Sequence, residues 1–390
     1  MLKKILISFY LFISSFGFSQ NMQLSIYSEI SVVTSGPGDN LYEKFGHTAI
    51  RVKDPVLSLD LIYNYGIFDF DAPNFYLNFT KGFMKYKLAR YDFYYALRSA
   101  NEDKRWMKQQ VLNLTSEEKN NFFTFLQHNA EPENASYLYD PFYDNCATRP
   151  RDIIKKVLGD KLTISSDFIT SDTSLRQLMN IEINPNTWGS FGINVALGSK
   201  LDKVATAEEY MYLPDYVFKA LEVSKIKRET EEVPLVKRTQ TLLDFEEKQA
   251  KSDAFSPLLA FSILLIIGIF TTYNDYKKLQ RTKWFDFMLF FITGVIGLLI
   301  MFLWFFTNHS TAPNNFNFLW AFAPNLIVSF FLLKKNPPKW IKKYILFLLM
   351  LLAIIPIIWL SKMQLFSVYL VEVFVLLVIR YIYLQKTLDS

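Results

Sequence analysis

Tyr143-Asp144-Asn145-Cys146-Ala147-Thr148-Arg149-Pro150-Arg151-Asp152 is followed by Ile153, Ile154, Val157 and Leu158 at helical spacing, and then by Gly159. The pattern predicts a helix that starts after Asn145 and stops at Gly159. Asn145 is a good N-cap, and Pro150 is tolerated near a helix start because the N–H it lacks has no intrahelical partner there. Cys146 therefore belongs at or just inside the helix N-terminus. At that place the free N–H groups and the helix dipole favour thiolate over thiol, and the same N–H groups can receive an oxyanion. Cys146 is the sole cysteine of the 390-residue chain, so no intrachain disulfide forms. It is either a small buried apolar residue or a working thiol.

A cysteine nucleophile needs a base, and the chain holds three histidines, His47, His128 and His309. His128 ends a polar helical stretch over 115–129, which Thr115-Ser116-Glu117-Glu118 opens with a cap-like start, and it reads as a solvated C-terminal residue. His47 lies in Phe45-Gly46-His47-Thr48-Ala49-Ile50-Arg51-Val52, at the start of a strand and after a glycine that lets another segment approach. It is the better candidate base, although a half-buried strand histidine would look the same. Other β-rich stretches are Leu24–Val33 and Leu61–Phe68, with Ser35-Gly36-Pro37-Gly38-Asp39 as a turn cluster between the first and His47. This part of the chain is therefore α+β.

The rest of the sequence concerns a membrane. Residues 1–19 carry Lys3 and Lys4, an apolar run from Ile5 to Phe16 and small residues near Gly17 and Ser19, the pattern of a signal peptide cut near Gln20. No lipid-attachment cysteine follows it. Beyond Asp253 come five apolar stretches, about 255–273, 284–306, 316–333, 342–360 and 363–384, each near the ~20 residues that cross a bilayer. Lys277, Lys278, Arg281 and Lys283 fall between the first two, and Lys334, Lys335, Lys339, Lys342 and Lys343 between the third and fourth. The Thr307–Asn317 loop has neither Lys nor Arg. The positive-inside rule puts the basic loops and the C-terminus in the cytoplasm, and the soluble domain across the inner membrane in the periplasm. The expected organisation is a signal peptide over 1–19, a periplasmic catalytic domain over 20–220, a charged solvated connector over 221–253 and a five-helix transmembrane domain over 254–385. The net charge of +5 is modest and forms no basic stripe interleaved with aromatics, which argues against a nucleic-acid partner. Scattered histidines and one cysteine offer no metal-ligand spacing, no Gly-rich phosphate loop is present, and no cofactor is expected.

Gly46-His47-Thr48-Ala49-Ile50 on a strand, with Asn145-Cys146 opening a helix far downstream, resembles the permuted papain-like order of the lecithin–retinol acyltransferase group and the related NlpC/P60 peptidases. The fuller set adds Arg51, Tyr63-Asn64-Tyr65-Gly66-Ile67-Phe68-Asp69-Phe70 and Asp144 to Asp152. That set is closer still to the Lnb-type bacterial lipoprotein N-acyltransferases, whose periplasmic domain precedes five transmembrane helices. The resemblance implies a permuted papain-like fold with Cys146 as acyl-accepting nucleophile and His47 as its base. An amide on the hairpin partner of the His47 strand makes Asn64 the choice for the orienting group, with Glu43 and Asp144 as alternatives. Asn145 would cap the helix beside the oxyanion site. Arg51, Arg149 and Arg151 would hold a lipid phosphate, and His309 would meet headgroups at the membrane face. The implied substrates are a membrane phospholipid and a lipoprotein N-terminus, both in the bilayer. Two other readings keep the architecture: a membrane-anchored cysteine hydrolase acting on lipid or peptidoglycan, and a non-catalytic membrane sensor with an inert Cys146.

Overall fold

The computed structural model describes residues 22–249 and 251–388; the expected signal peptide over 1–19 lies outside them. Strands β1 (Glu29–Ser35), β2 (His47–Asp54) and β3 (Leu59–Ile67) form where the alternation predicts them. The first starts later than Leu24, because Asp54 draws Ser25 into a turn: its carboxylate accepts from the Ser25 N–H at 2.6 Å and from the Ser25 hydroxyl at 2.8 Å. Helix α1 (Phe75–Lys81), β4 (Lys85–Asp92), α2 (Phe93–Glu102) and β5 (Met107–Leu112) follow. Next come α3 (Ser116–Asn129), β6 (Ser136–Leu138) and α4 (Thr148–Leu158). The Thr115 hydroxyl accepts from Glu118 N–H while the Glu118 carboxylate accepts from Thr115 N–H, a reciprocal cap that fixes the start of α3.

Residues 221–253 are not a plain connector. After β7 (Leu162–Thr163), α5 (Leu175–Glu182), α6 (Trp188–Ala196), α7 (Ala207–Tyr210) and α8 (Pro214–Val223), the chain makes β8 (Lys225–Lys227), which pairs with β7, and β9 (Glu232–Pro234), which pairs with β8. It then makes β10 (Val236–Leu243), which joins the main sheet beside β5. The mixed charge that suggested a solvated tether, Lys225, Lys227, Arg228, Glu229, Glu231 and Glu232, belongs to the β8–β9 hairpin, while the edge strand β10 carries basic side chains on an exposed face, where they discourage further pairing. One of them, Arg238, meets Glu29 at 2.6 Å.

The main sheet is antiparallel with order β10-β5-β1-β2-β3-β4-β6. One face carries Ile30, Val32, Ile50, Val52, Tyr63 and Tyr65 into a large core with α3 and α4, including Phe122, Leu126, Ile153 and Ile154. The other face carries Val33, Ala49 and Ile62 into a smaller core with Phe93 and Ala100 of α2. Thus α4, with Cys146 just before it, packs across the strand that begins at His47.

The C-terminal region holds α9 (Pro257–Lys278), α10 (Lys283–Phe305), α11 (Asn325–Leu332), α12 (Trp340–Leu360) and α13 (Leu370–Thr387). Of these, α9, α10 and α12 are long and apolar enough to cross a membrane. The third apolar stretch, expected as one span over 316–333, is broken: a 3-10 turn at Phe316–Leu319 is followed by Pro324 and the short α11. A proline after an irregular turn, with Asn315, Asn317 and Asn325 buried beside it, cannot sit in one smooth helix. Such backbone is tolerated because protein covers it. Cβ atoms added at Gly294 and Gly297 of α10 would lie 2.1 Å from Leu326 N and 2.0 Å from Ala321 O, so these glycines are what let it approach. The fifth helix likewise starts at Leu370 rather than 363.

The soluble domain rests on the loop between α10 and the broken segment. Gly198 N–H donates to Thr311 O at 2.8 Å, Ser199 N–H to Asn314 O at 3.1 Å and Asn308 N–H to Lys81 O at 2.9 Å. The Asn315 amide donates to Val195 O at 2.7 Å, and the Trp188 indole to Phe255 O at 2.7 Å. The loop without Lys or Arg therefore lies on the same side of the helices as the domain.

Candidate active site

A tight turn aims the cysteine. Asp140 and Asp144 exchange both backbone hydrogen bonds at 3.0 Å, and the Asp140 carboxylate accepts from the N–H groups of Phe142 and Tyr143 at 2.9 and 3.0 Å. Asn145 follows and caps α4: its Oδ1 accepts from Ala147 N–H at 2.8 Å and Thr148 N–H at 2.9 Å, and its carbonyl from Arg149 N–H at 3.1 Å. Its Nδ2 donates to Pro141 O at 2.7 Å and Tyr212 O at 2.9 Å. All of its side-chain capacity is thus spent on holding the turn. The expectation that the first-turn N–H groups stand open for an oxyanion is corrected accordingly: Asn145 occupies two of them, which leaves from this turn the Cys146 N–H, turned toward its own sulfur.

Cys146 is half-buried and meets the His47 ring. His47 Nε2 lies 2.6 Å from Asn64 Oδ1, which leaves Nδ1 for the thiol. The sheet explains the geometry. Ile50 pairs with Tyr63, and side chains two apart on a strand share a face, so His47 and Asn64 stand as diagonal neighbours on adjacent strands. The Asn64 amide then donates to the Tyr91 hydroxyl on β4 at 2.8 Å, which fixes which end of the amide faces the imidazole. Gly66 has φ +92°, and a Cβ there would lie 3.5 Å from Cys146 Cβ, so β3 bends closely past the cysteine where a larger residue would be strained.

The two groups polarise each other. Burial alone would push the Cys146 thiol up, but the charge and hydrogen bond of His47, with the N–H groups of Thr48 and Cys146, bring it below the ordinary thiol value. Burial would hold His47 neutral; the Cys146 thiolate and the Asn64 carbonyl raise it above the ordinary imidazole value, against the opposing charge of Arg105. Both effects favour passing the proton from the thiol to the imidazole.

The arginines fare differently. Arg51 is buried under α2, with Nε 2.7 Å and Nη2 2.6 Å from the Asp60 carboxylate, Nη1 2.9 Å from Gln109 and its guanidinium 3.7 Å over the Phe93 ring. Arg151 is buried too, bonded to Asp152 and to the Glu208 carbonyl at 2.8 Å. Both are corrections to the expected phosphate contacts, since their donors are consumed inside the domain. Arg149 forks onto Asp144 and lies 4.0 Å over the Tyr137 ring, bracing the turn before the cysteine. Asp144 is thereby occupied, and Glu43 closes its own loop and stands 4.0 Å from Arg105, so neither takes the place beside His47 that Asn64 holds. His309 lies in the loop packed on Gly82, and among the described contacts its ring is not in the Cys146–His47 row.

Residues that sequence reasoning missed surround the pair. The Thr48 N–H points at the sulfur, Arg105 places a half-buried cation nearby, and a Cβ added at Gly66 would lie 3.8 Å from the Tyr139 ring at the Cys146 turn. Thr48 adjoins a motif residue and was within reach; Arg105 and Tyr139 come from other segments with no local signal. Among the described residues no group of three or more His, Cys, Asp or Glu side chains is placed to hold a metal ion.

Two family models match the chain: the Lnb N-terminal periplasmic domain over residues 20–180 and the Lnb transmembrane domain over residues 248–388. No curated protein and no solved structure matches it.

Proposed function

Since the chain belongs to the Lnb family, carrying its periplasmic and transmembrane domains in order, we propose that it is a lipoprotein N-acyltransferase of the inner membrane that works through a thioester on Cys146. The observation that carries this reading is the row in which Cys146 meets His47 and His47 Nε2 lies 2.6 Å from Asn64 Oδ1, in a domain fastened to membrane helices. We read the row as a permuted papain-like arrangement, histidine before cysteine, with Asn64 as the orienting group.

In the first half-reaction the thiolate attacks an ester carbonyl of a membrane phospholipid, and the developing oxyanion receives the Cys146 N–H. The His47 imidazolium gives its proton to the departing glycerol oxygen, leaving an acyl thioester and a neutral imidazole. In the second, the α-amine of a diacylglyceryl-cysteine attacks the thioester and His47 takes the amine proton. The amide forms, the thiolate leaves, and the resting ion pair returns. Asn64 holds the ring so that Nδ1 faces the sulfur throughout. Both substrates stay in the bilayer, which avoids exposing acyl chains to water at ~0.8 kcal/mol per CH₂. Under this reading the C-terminus is cytoplasmic, and the positive-inside rule applied to the basic loops supports that.

Mass spectrometry of a lipoprotein N-terminus tests the proposal. Cells relying on this protein are expected to lose one acyl chain from that N-terminus when Cys146→Ala replaces the wild type, and an unchanged mass would sink it. Purified protein given lipid and a lipopeptide amine should yield amide; free fatty acid alone would favour a hydrolase.

A further inference from the structure

Helix α1 buries none of its residues in the protein although it reads Phe75-Tyr76-Leu77-Asn78-Phe79-Thr80-Lys81. Tyr76 is 70% and Phe79 47% exposed. The rings are continuous with the cysteine. Tyr139, at the Gly66–Cys146 contact, stacks on Tyr86 at 4.3 Å; Tyr86 meets Phe68 at 5.0 Å; Phe68 meets Phe75 at 6.1 Å, and Phe75 in turn meets Phe79. An apolar row of this kind on a soluble surface needs something to cover it.

The helix also has a fixed place relative to the membrane region. The Lys81 carbonyl at its end accepts from Asn308 N–H, three residues past the end of α10 at Phe305, and a Cβ on Gly82 would lie 2.7 Å from His309 N. Phe305 and Phe306 at that helix end are themselves exposed. So α1 lies against the mouth of a membrane-crossing helix, at the level where aromatic rings settle in a bilayer. Lys81 and Lys85, exposed on either side of Gly82, suit the phosphates there.

We propose that α1 is an interfacial ledge: it lies in the outer surface of the bilayer and leads a lipid acyl chain along Phe68, Tyr86 and Tyr139 to Cys146. The occupant is lipid, because the surface continues the apolar end of α10. The guiding role rests on the acyltransferase reading; the contact with the bilayer does not.

The lone cysteine makes the test clean. In full-length Cys146→Ser protein in phosphatidylethanolamine–phosphatidylglycerol nanodiscs, one spin label is placed by Tyr76→Cys and a control by Tyr94→Cys on α2. Label 76 should collide with oxygen and be shielded from a water-soluble nickel chelate, while label 94 meets the chelate freely. Equal nickel access at both sites overturns the ledge, and so does shielding of label 76 from both reagents, the result for a surface covered by protein. With Cys146 intact, a Tyr76→Ser/Phe79→Ser double variant should slow acyl transfer from bilayer lipid about tenfold, with alkylation of Cys146 by iodoacetamide unchanged. Wild-type transfer in the double variant overturns the guiding role. If the wild type itself transfers no acyl group, the acyltransferase reading fails while the spin labels still decide the ledge.

Discussion

A thiol half-buried among tyrosines would by itself stay protonated; what favours the Cys146 anion is the imidazole beside it. Its folded-state value lies below that of a free thiol and that of His47 above a free imidazole, and both shifts favour the thiolate–imidazolium pair. Alkylation of the sole cysteine should therefore be rapid at neutral pH and fall on the acid side as the thiolate takes up a proton. Acyl transfer should fall also on the alkaline side, where His47 loses the proton it must donate. His47→Ala removes the stabilising charge and leaves the burial, so alkylation at pH 7 should drop by about tenfold for each pKa unit the thiol regains. Equal rates in the two proteins would mean that no ion pair exists. Asn64→Asp adds a negative charge at Nε2 and should move the alkaline limb upward. Asn64 could be singled out in the sequence because a hairpin partner on the same face is geometrically obliged to be close. Arg51 misled for the converse reason: Asp60, which captures it, is set by strand register, and register is not written in any local motif.

Among elements, the start of α4 decides whether the thiol is aimed. Asn145 joins that helix start to the 140–144 turn and to Tyr212 through four side-chain hydrogen bonds. Asn145→Ala should cost about 1–2 kcal/mol for the cap alone and more for the orphaned carbonyls. A lower Tm with slower alkylation of Cys146 is expected, and Asn145→Asp should restore part of the stability, since it keeps the acceptor. An alanine variant with wild-type Tm and reactivity would show that the turn holds without its cap. Helix starts of this kind were legible because capping is local chemistry: Thr115 with Glu118, and Asn145 before Cys146, need no knowledge of the rest of the chain. The edge strand β10 and the break before α11 were not. Both are decided by distant partners, β5 in one case and Gly294 and Gly297 of α10 in the other, and an edge strand's charges read like those of a tether.

For the whole molecule, the question is what holds a soluble site at a fixed height over the bilayer. The seam is built from backbone: the 198–199 segment pairs with Thr311 and Asn314, and Asn315 and Asn317 reach the carbonyls at the end of α6. Gly198 is the tightest point, for a Cβ there would lie 1.9 Å from Pro313 O. Backbone on both sides leaves no flexible side chain to yield, so Gly198→Ala must open the seam, exposing buried N–H and C=O groups at about 1 kcal/mol or more each. Hydrogen exchange over 307–317 should then accelerate. Activity toward substrates in the bilayer should fall, because a thiol free to drift from the membrane loses the positioning that an intramolecular arrangement supplies. Alkylation of Cys146 by a small soluble reagent should stay as in the wild type, since the Cys146–His47–Asn64 row lies wholly within the soluble domain. If Gly198→Ala instead slows alkylation as much as acyl transfer, the seam shapes the site itself, and the membrane helices would be part of the catalytic fold rather than its mount.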